Sequence, residues 1–446
     1  MVVIYLLISV FIIIFLTARL SVHPFIVLLL VALMYGFLSG MSAIDIIKSV
    51  NEGFGNTLGG IGLIIILGVI IGAFLENSGG AYAIAEKILK VIGKDKVPTA
   101  MGLIGWFVSI PVFADSGFLL LSPLNRSLSK EAKISLSGSA IALGLGLTAS
   151  HTMVPPTPGP IAAAGILGAD IGLVLIIGIP ISLIALIACI LFARKYVAKT
   201  YIDPNPQISE RELQVRLENA PGALKSSFPV LVPILLIVLR SIFTAVHGIN
   251  GAFIDFIMFI GEPFVALLIG VFLALLLPKK LEKEMLSTTG WIGKSLSEAA
   301  SIILITGAGG IFGKVLQNSG IADVLGEILG GFNLSIWLPF LLAAAIKTAQ
   351  GSSTVALITT ASLMAPLMET LGFVDSLEKA MVVIAIGAGS AVVSHANDSL
   401  FWVVTQMSGM DTRMGYRMHT LGTFVLGTSA AIPLFIVHSI ITRIFI

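Results

Sequence analysis

Apolar residues occur along this chain in runs of about 20, set apart by short polar or glycine-rich stretches, from one end to the other. A helix of that length crosses ~30 Å of hydrocarbon. Backbone groups at that depth have no water partner, so the pattern predicts helices and not open strands. Crossings are expected at 2–18, 24–39, 57–75, 134–168, 172–194, 228–247, 259–277, 299–317, 380–409 and 418–441. Two more apolar segments, 98–128 and 336–370, break near their middles and read as re-entrant hairpins. The polar stretch from Tyr196 to Ser227, with Asp203-Pro204-Asn205-Pro206 and Glu210-Arg211-Glu212, reads as a linker between halves.

The halves resemble each other. Residues 63–86 and 304–327 align without gaps, pairing Gly68 with Gly309, Gly72 with Gly313, Leu75 with Leu316 and Glu86 with Glu327. Asn77-Ser78-Gly79 likewise pairs with Asn318-Ser319-Gly320. If both broken segments are hairpins, an odd number of crossings separates the two copies, which makes the repeat inverted in the membrane. The basic residues test this independently. With both hairpins re-entrant, 20 of the 26 lysines and arginines fall on one side, among them Arg19, Lys87, Lys94, Arg194, Arg216, Lys279 and Arg413. That side is the cytoplasm, which leaves both termini outside. The expected fold is therefore an all-α polytopic membrane protein, an inverted repeat with two re-entrant hairpins and two broken transmembrane helices. Its parts are N-terminal scaffold helices 1–56, a first repeat 57–195, a cytoplasmic linker 196–227, scaffold helices 228–298 and a second repeat 299–446.

Composition agrees: 57% of residues are hydrophobic and 11% charged, against roughly 25% charged in a soluble domain. A net charge of +2 suggests no nucleic-acid surface. Cys189, the sole cysteine, excludes a disulfide within the chain and offers no metal cluster. The apolar N-terminus has neither a basic flank nor a cleavage motif, so its first segment is expected to stay as a membrane helix.

Polar residues deep in a bilayer are costly and mark functional sites. Four clusters stand out, two per half. Asp115-Ser116-Gly117 forms one hairpin tip, and Gln350-Gly351-Ser352-Ser353-Thr354 the other. The run Thr148 to Pro160, with Ser150, His151, Thr152, Thr157 and four prolines between positions 155 and 160, must unwind the first broken crossing. Ser394-His395-Ala396-Asn397-Asp398-Ser399 marks the second. Such breaks bring half-helix N-termini to mid-membrane, where their N–H groups and positive dipole ends suit a carboxylate. Asp115, His151, His395 and Asp398 are candidates to carry a proton or cation, with no cofactor needed. Each feature also has a plainer reading. A single hydroxyl can bond the carbonyl one turn back, a histidine can bridge helices, Asp398 can cap the helix that follows, and Asn77 and Asn318 look like helix caps. Lys347 can attract an anion or snorkel. An intramembrane serine protease built on Ser352 or Ser353 with His395 fits poorly, because polar clusters occur in both halves. A channel fits less well than alternating access.

At these residues the sequence resembles the gluconate permease (GntP-type) family of the ion transporter superfamily. The likeness rests on Phe113-Ala114-Asp115-Ser116-Gly117-Phe118, on Ser150 through Pro160, on Ala349 through Thr354 and on Ser394 through Ser399. It implies proton-coupled uptake of a small hydroxylated carboxylate: gluconate or a related sugar acid, 3-hydroxybutyrate or D-serine. It also implies an elevator-type mechanism and a homodimer. Sodium coupling, or cation/proton antiport without an organic substrate, are the rival expectations.

Overall fold

The computed structural model describes residues 2–93, 96–205, 218, 220–245, 251–321, 324 and 335–445. Lys94, Pro206, Glu210-Arg211-Glu212, Arg216 and Glu327, used above, lie outside the described residues. Among the described residues every regular element is helical. Helix α1 (Val2–Ile14) is followed by α2 (Pro24–Leu38), which starts on a proline because the first turn of a helix needs no N–H there. Helix α3 (Ala43–Asn77) begins well before residue 57, where hydropathy placed it. Its first turns carry Asp45, Lys48, Asn51 and Glu52, so hydropathy hides them. The Ser42 hydroxyl accepts from the Asp45 N–H at 3.1 Å and caps that start. Helix α4 (Gly80–Ile92) leads into the first hairpin, α5 (Val97–Val108) and α6 (Ala114–Glu131).

The first broken crossing is α7 (Leu136–Met153) and α8 (Pro158–Leu167). Pro155 and Pro156 lack the N–H groups that would carry α7 onward, and their peptide bond is cis. Helix α9 (Ile171–Lys195) closes the first half. The second half opens with α10 (Ala223–Ala245), α11 (Ala252–Ile260) and α12 (Pro263–Leu275). The crossing expected at 259–277 is instead this bent pair, with 67° between its arms. Gly261-Glu262-Pro263 makes the bend, and Arg240 Nη2 holds Glu262 at 2.6 Å.

Helix α13 (Trp291–Asn318) precedes the second hairpin, α14 (Trp337–Gln350) and α15 (Ser353–Met364). The second broken crossing is α16 (Ser376–Ser390) and α17 (Ser399–Ser408); α18 (Leu421–Phe445) ends the chain after a π-helical turn at Tyr416–Thr420. No proline makes this second break. Val393 does so with φ +53°, a conformation costly for a β-branched residue.

Packing repeats between halves. The first hairpin arm lies on the first half of its own broken helix, α5 on α7 and α14 on α16. The second arms cross over: α6 packs on α17, and α15 packs on α8. Each hairpin therefore closes against the other half's break. The long helices α3 and α13 pack on each other, and their matched glycines explain the repeated motif. A Cβ on Gly68 would lie 2.9 Å from the Pro156 carbonyl, and one on Gly309 2.5 Å from the Ile358 side chain. Gly72 meets the Pro111 carbonyl at the first hairpin tip, closer still. Small residues let these helices approach the first break and the two hairpins.

Candidate functional site

Three of the four half-helix N-termini, those of α6, α15 and α17, face one cavity of about 490 Å³. Its wall includes Asp115, Ser116, His151, Gln350, Gly351, Ser352, Ser353, Thr354, Ser394, Asn397 and Asp398. Both hairpin tips and the second break thus meet there.

The remaining sequence candidates do not reach the wall, for local reasons. Thr157 Oγ1 donates to the Val154 carbonyl at 2.6 Å, and Thr152 Oγ1 to Thr148 O at 3.0 Å. Ser150 points to Leu147 O at 3.5 Å. These hydroxyls satisfy carbonyls of the preceding turn, the plainer of their two readings. Gly117 packs under Leu147, where a Cβ would sit 2.7 Å from the leucine methyl. His395 turns away from the cavity, its Nε2 2.8 Å from the Thr348 carbonyl and its ring stacked 6.4 Å from that of Tyr416. The two histidines that look alike in sequence are therefore not equivalent. His151 lines the cavity from the last turn of α7, its ring 6.1 Å from Phe113 and its Nδ1 without a hydrogen-bond partner among the described residues.

Four further wall residues are not among the binding candidates above: Thr148 and Ser399 lie inside the polar runs already named, Lys347 has two readings in the sequence, and Glu298 carries no signal there. Thr148, Glu298, Lys347 and Ser399 all line the cavity. Asp115 accepts from Ser399 Oγ at 2.6 Å, which ties the first hairpin tip to the start of α17 across 284 positions. Lys347 neither snorkels nor stands open. It is 1% exposed, and its Nζ donates to Asp398 Oδ2 at 2.5 Å and also to the Gly351 carbonyl. Asp398 does cap α17, accepting from Leu400 N at 3.1 Å, yet it is at the same time the carboxylate of a buried ion pair. Ser394 Oγ donates to that carboxylate at 2.5 Å. Having given its one proton there, Ser394 can only accept from His419 Nε2, 3.1 Å away, which assigns the proton of that buried ring to Nε2. Thr423 and Thr420 hold the backbone of Ser394 at 3.0 and 2.6 Å. His419 could not be found from the sequence, because its position in a mid-helix π-turn shows only once α18 is folded against the break. The asparagines also diverge: Asn77 Nδ2 donates within its own last turn to Ala73 O at 2.7 Å, whereas Asn318 crosses to Ser49 Oγ at 2.8 Å.

Formal charge in the cavity is three carboxylates, Asp115, Asp398 and the exposed rim residue Glu298, against the Lys347 ammonium. A multi-pass helical membrane protein with two interlocked hairpins and the second break around one polar cavity, and the first break packed behind it, has the architecture of a secondary carrier. The chain belongs to the GntP permease family: the model of the GntP family permease matches residues 1–441. It is 35% identical over 413 residues to a gluconate permease of Pseudomonas aeruginosa, covering 91% of this chain and 90% of that protein. It is 33% identical over 440 residues to the D-serine transporter DsdX of Escherichia coli K12, covering 98% of each. The crystal structure of the Alcanivorax borkumensis YdaH transporter shares the fold, with a TM-score of 0.63 at 12% identity over 93% of this chain and 98% of that one.

Proposed function

We propose that this permease takes up a small hydroxylated monocarboxylate together with a proton, across a bacterial inner membrane, by an elevator-type movement. The convergence of three half-helix N-termini on one hydroxyl-lined cavity carries this reading. The positive dipole ends, and the first-turn N–H groups beyond those taken by the Asp398 and Ser352 caps, suit a carboxylate. The hydroxyls of Ser116, Ser352, Ser353 and Thr354 suit the polyol or hydroxyl part of the same molecule. About 490 Å³ lies within the range of small-molecule pockets. Gluconate and D-serine, named for the relatives, are carboxylates with hydroxyl groups.

Charge gives the coupling. Lys347 and Asp398 offset each other, so an incoming anion faces the net negative charge of Asp115 and, at the rim, Glu298. Protonation of Asp115 removes the nearer repulsion, and the proton then travels with the substrate. His151 stands ready at the cavity wall as a second proton-binding group; His395, outside it, has no direct path to the substrate. Hairpins and broken helices would move as one block, since α6 with α17 and α15 with α8 interlock across the halves. Helices α1–α3 and α10–α13 would form the scaffold of a homodimer, with the central linker cytoplasmic and both termini outside.

Uptake of labelled gluconate, 3-hydroxybutyrate and D-serine into proteoliposomes under an imposed pH gradient, with and without sodium, tests this. Accumulation driven by the pH gradient for at least one of them is expected. Uptake that needs sodium and ignores pH overturns the proton coupling. Stabilisation by sodium or lithium, with no response to any organic acid, overturns the substrate class.

A further inference from the structure

The breaks of the two halves differ in one respect that the repeat does not predict. A broken helix presents two kinds of end: N-termini that attract anions, and C-termini whose unpaired carbonyls attract cations. At the second hairpin the C-terminal end of α14 turns over at Gly351, φ +93°, and the Gly351 carbonyl meets the Lys347 ammonium. The same ammonium holds the Asp398 carboxylate, itself about nine-tenths buried. A carbonyl from an unwound tip and a buried carboxylate, with the Ser394 hydroxyl 2.5 Å from that carboxylate, are the ligand types a small monovalent cation uses in a carrier. Here a lysine 1% exposed fills that place. The first hairpin has no counterpart, for no basic residue lies in the last turn of α5.

We propose that Lys347 is a tethered cation, occupying by its side chain the position that sodium would otherwise take between the second hairpin tip and the second break. It locks the tip to the break and keeps Asp398 compensated, so this chain needs no sodium. The inference deepens the carrier reading above and rests on it for its meaning in transport. Its binding chemistry can be tested separately.

Removal of the side chain would leave Asp398, Ser394 and the Gly351 carbonyl around a vacated, buried cation position, because a buried carboxylate without a partner is strongly unfavourable. The purified full-length protein is melted in detergent at constant ionic strength in sodium, potassium or choline chloride, as wild type, Lys347→Ala, Lys347→Gln and the double variant Lys347→Ala with Asp398→Asn. The wild type is expected to melt at the same temperature in all three salts. Lys347→Ala is expected to melt lower in choline and to recover by at least about 1 °C in sodium, saturably; the double variant should lose that response. Lys347→Gln, closer in size and still a donor, is the second variant should the alanine protein not fold, and the same sodium response is expected of it. A sodium-specific rise in the wild type, or folded lysine variants that ignore sodium, overturns the proposal. A sodium response in Lys347→Ala alongside a wild type that binds no organic acid would sink the substrate reading while leaving this one standing.

Discussion

Asp115→Asn isolates the charge on which proton coupling depends. The substitution keeps the size of the side chain and an oxygen that can still accept from Ser399, which lies 2.6 Å from the carboxylate. It removes the negative charge for good. Two unit charges about 6 Å apart at an effective dielectric of about 20 repel by about 3 kcal/mol. Asp115 is half-buried beside an exposed Ser399, so solvent screening leaves roughly half of that, about 1.4 kcal/mol, or a tenfold change in affinity. In the wild type, an anionic ligand should therefore bind more tightly as the medium is made acid, because protonated Asp115 no longer repels it. In Asp115→Asn the affinity should be about tenfold higher than the wild type on the alkaline side and flat with pH. Uptake driven by a pH gradient should disappear, while exchange of substrate across equal pH persists. Calorimetric titration of the substrate across pH gives the first pair of results and proteoliposome uptake the second. An asparagine variant that still accumulates substrate against its gradient under a pH difference would refute the assignment, and the proton would then have to travel on His151.

Two other perturbations test the architecture. A Cβ on Gly53 would lie 2.5 Å from the Gly310 carbonyl and 2.8 Å from Ile311 Cα, so Gly53→Val should force α3 and α13 apart at a cost of about 1–3 kcal/mol; Gly55, with nothing within 4 Å, should tolerate alanine with an unchanged melt. Equal melts for the two variants would contradict the crossing. Cys189 is fully buried, so Cys189→Ser should transport like the wild type, and the wild type should resist thiol reagents. In that serine background, Glu298→Cys should react with a thiol reagent at the cavity rim, and bound substrate should slow the reaction several-fold. Reaction at a rate indifferent to substrate would remove Glu298 from the access path.

Much of this protein could be read from one dimension, because lipid imposes a local rule. Each crossing has to satisfy its own backbone, so apolar runs become helices wherever they stand, and proline or glycine breaks them where they stand. That rule was enough for the hairpins at 98–128 and 336–370 and for the break at Pro155-Pro156. It failed at Ala43 to Asn56, where Asp45, Lys48 and Glu52 hide a helix whose small and polar face, Ser49 and Gly53, is buried against α13. The division of labour within the polar clusters needed three dimensions. Thr152 and Thr157 have the same chemistry as Ser352 and Thr354, yet the first pair bonds the turn below it and the second faces the cavity. Lys347 with Asp398, Asp115 with Ser399, and Ser394 with His419 are separated by 51, 284 and 25 positions. Helix formation is a matter of three or four residues along the chain and shows in the sequence. Charge pairing is a matter of a few ångströms between elements, and only the folded arrangement of the two halves brings those groups within reach.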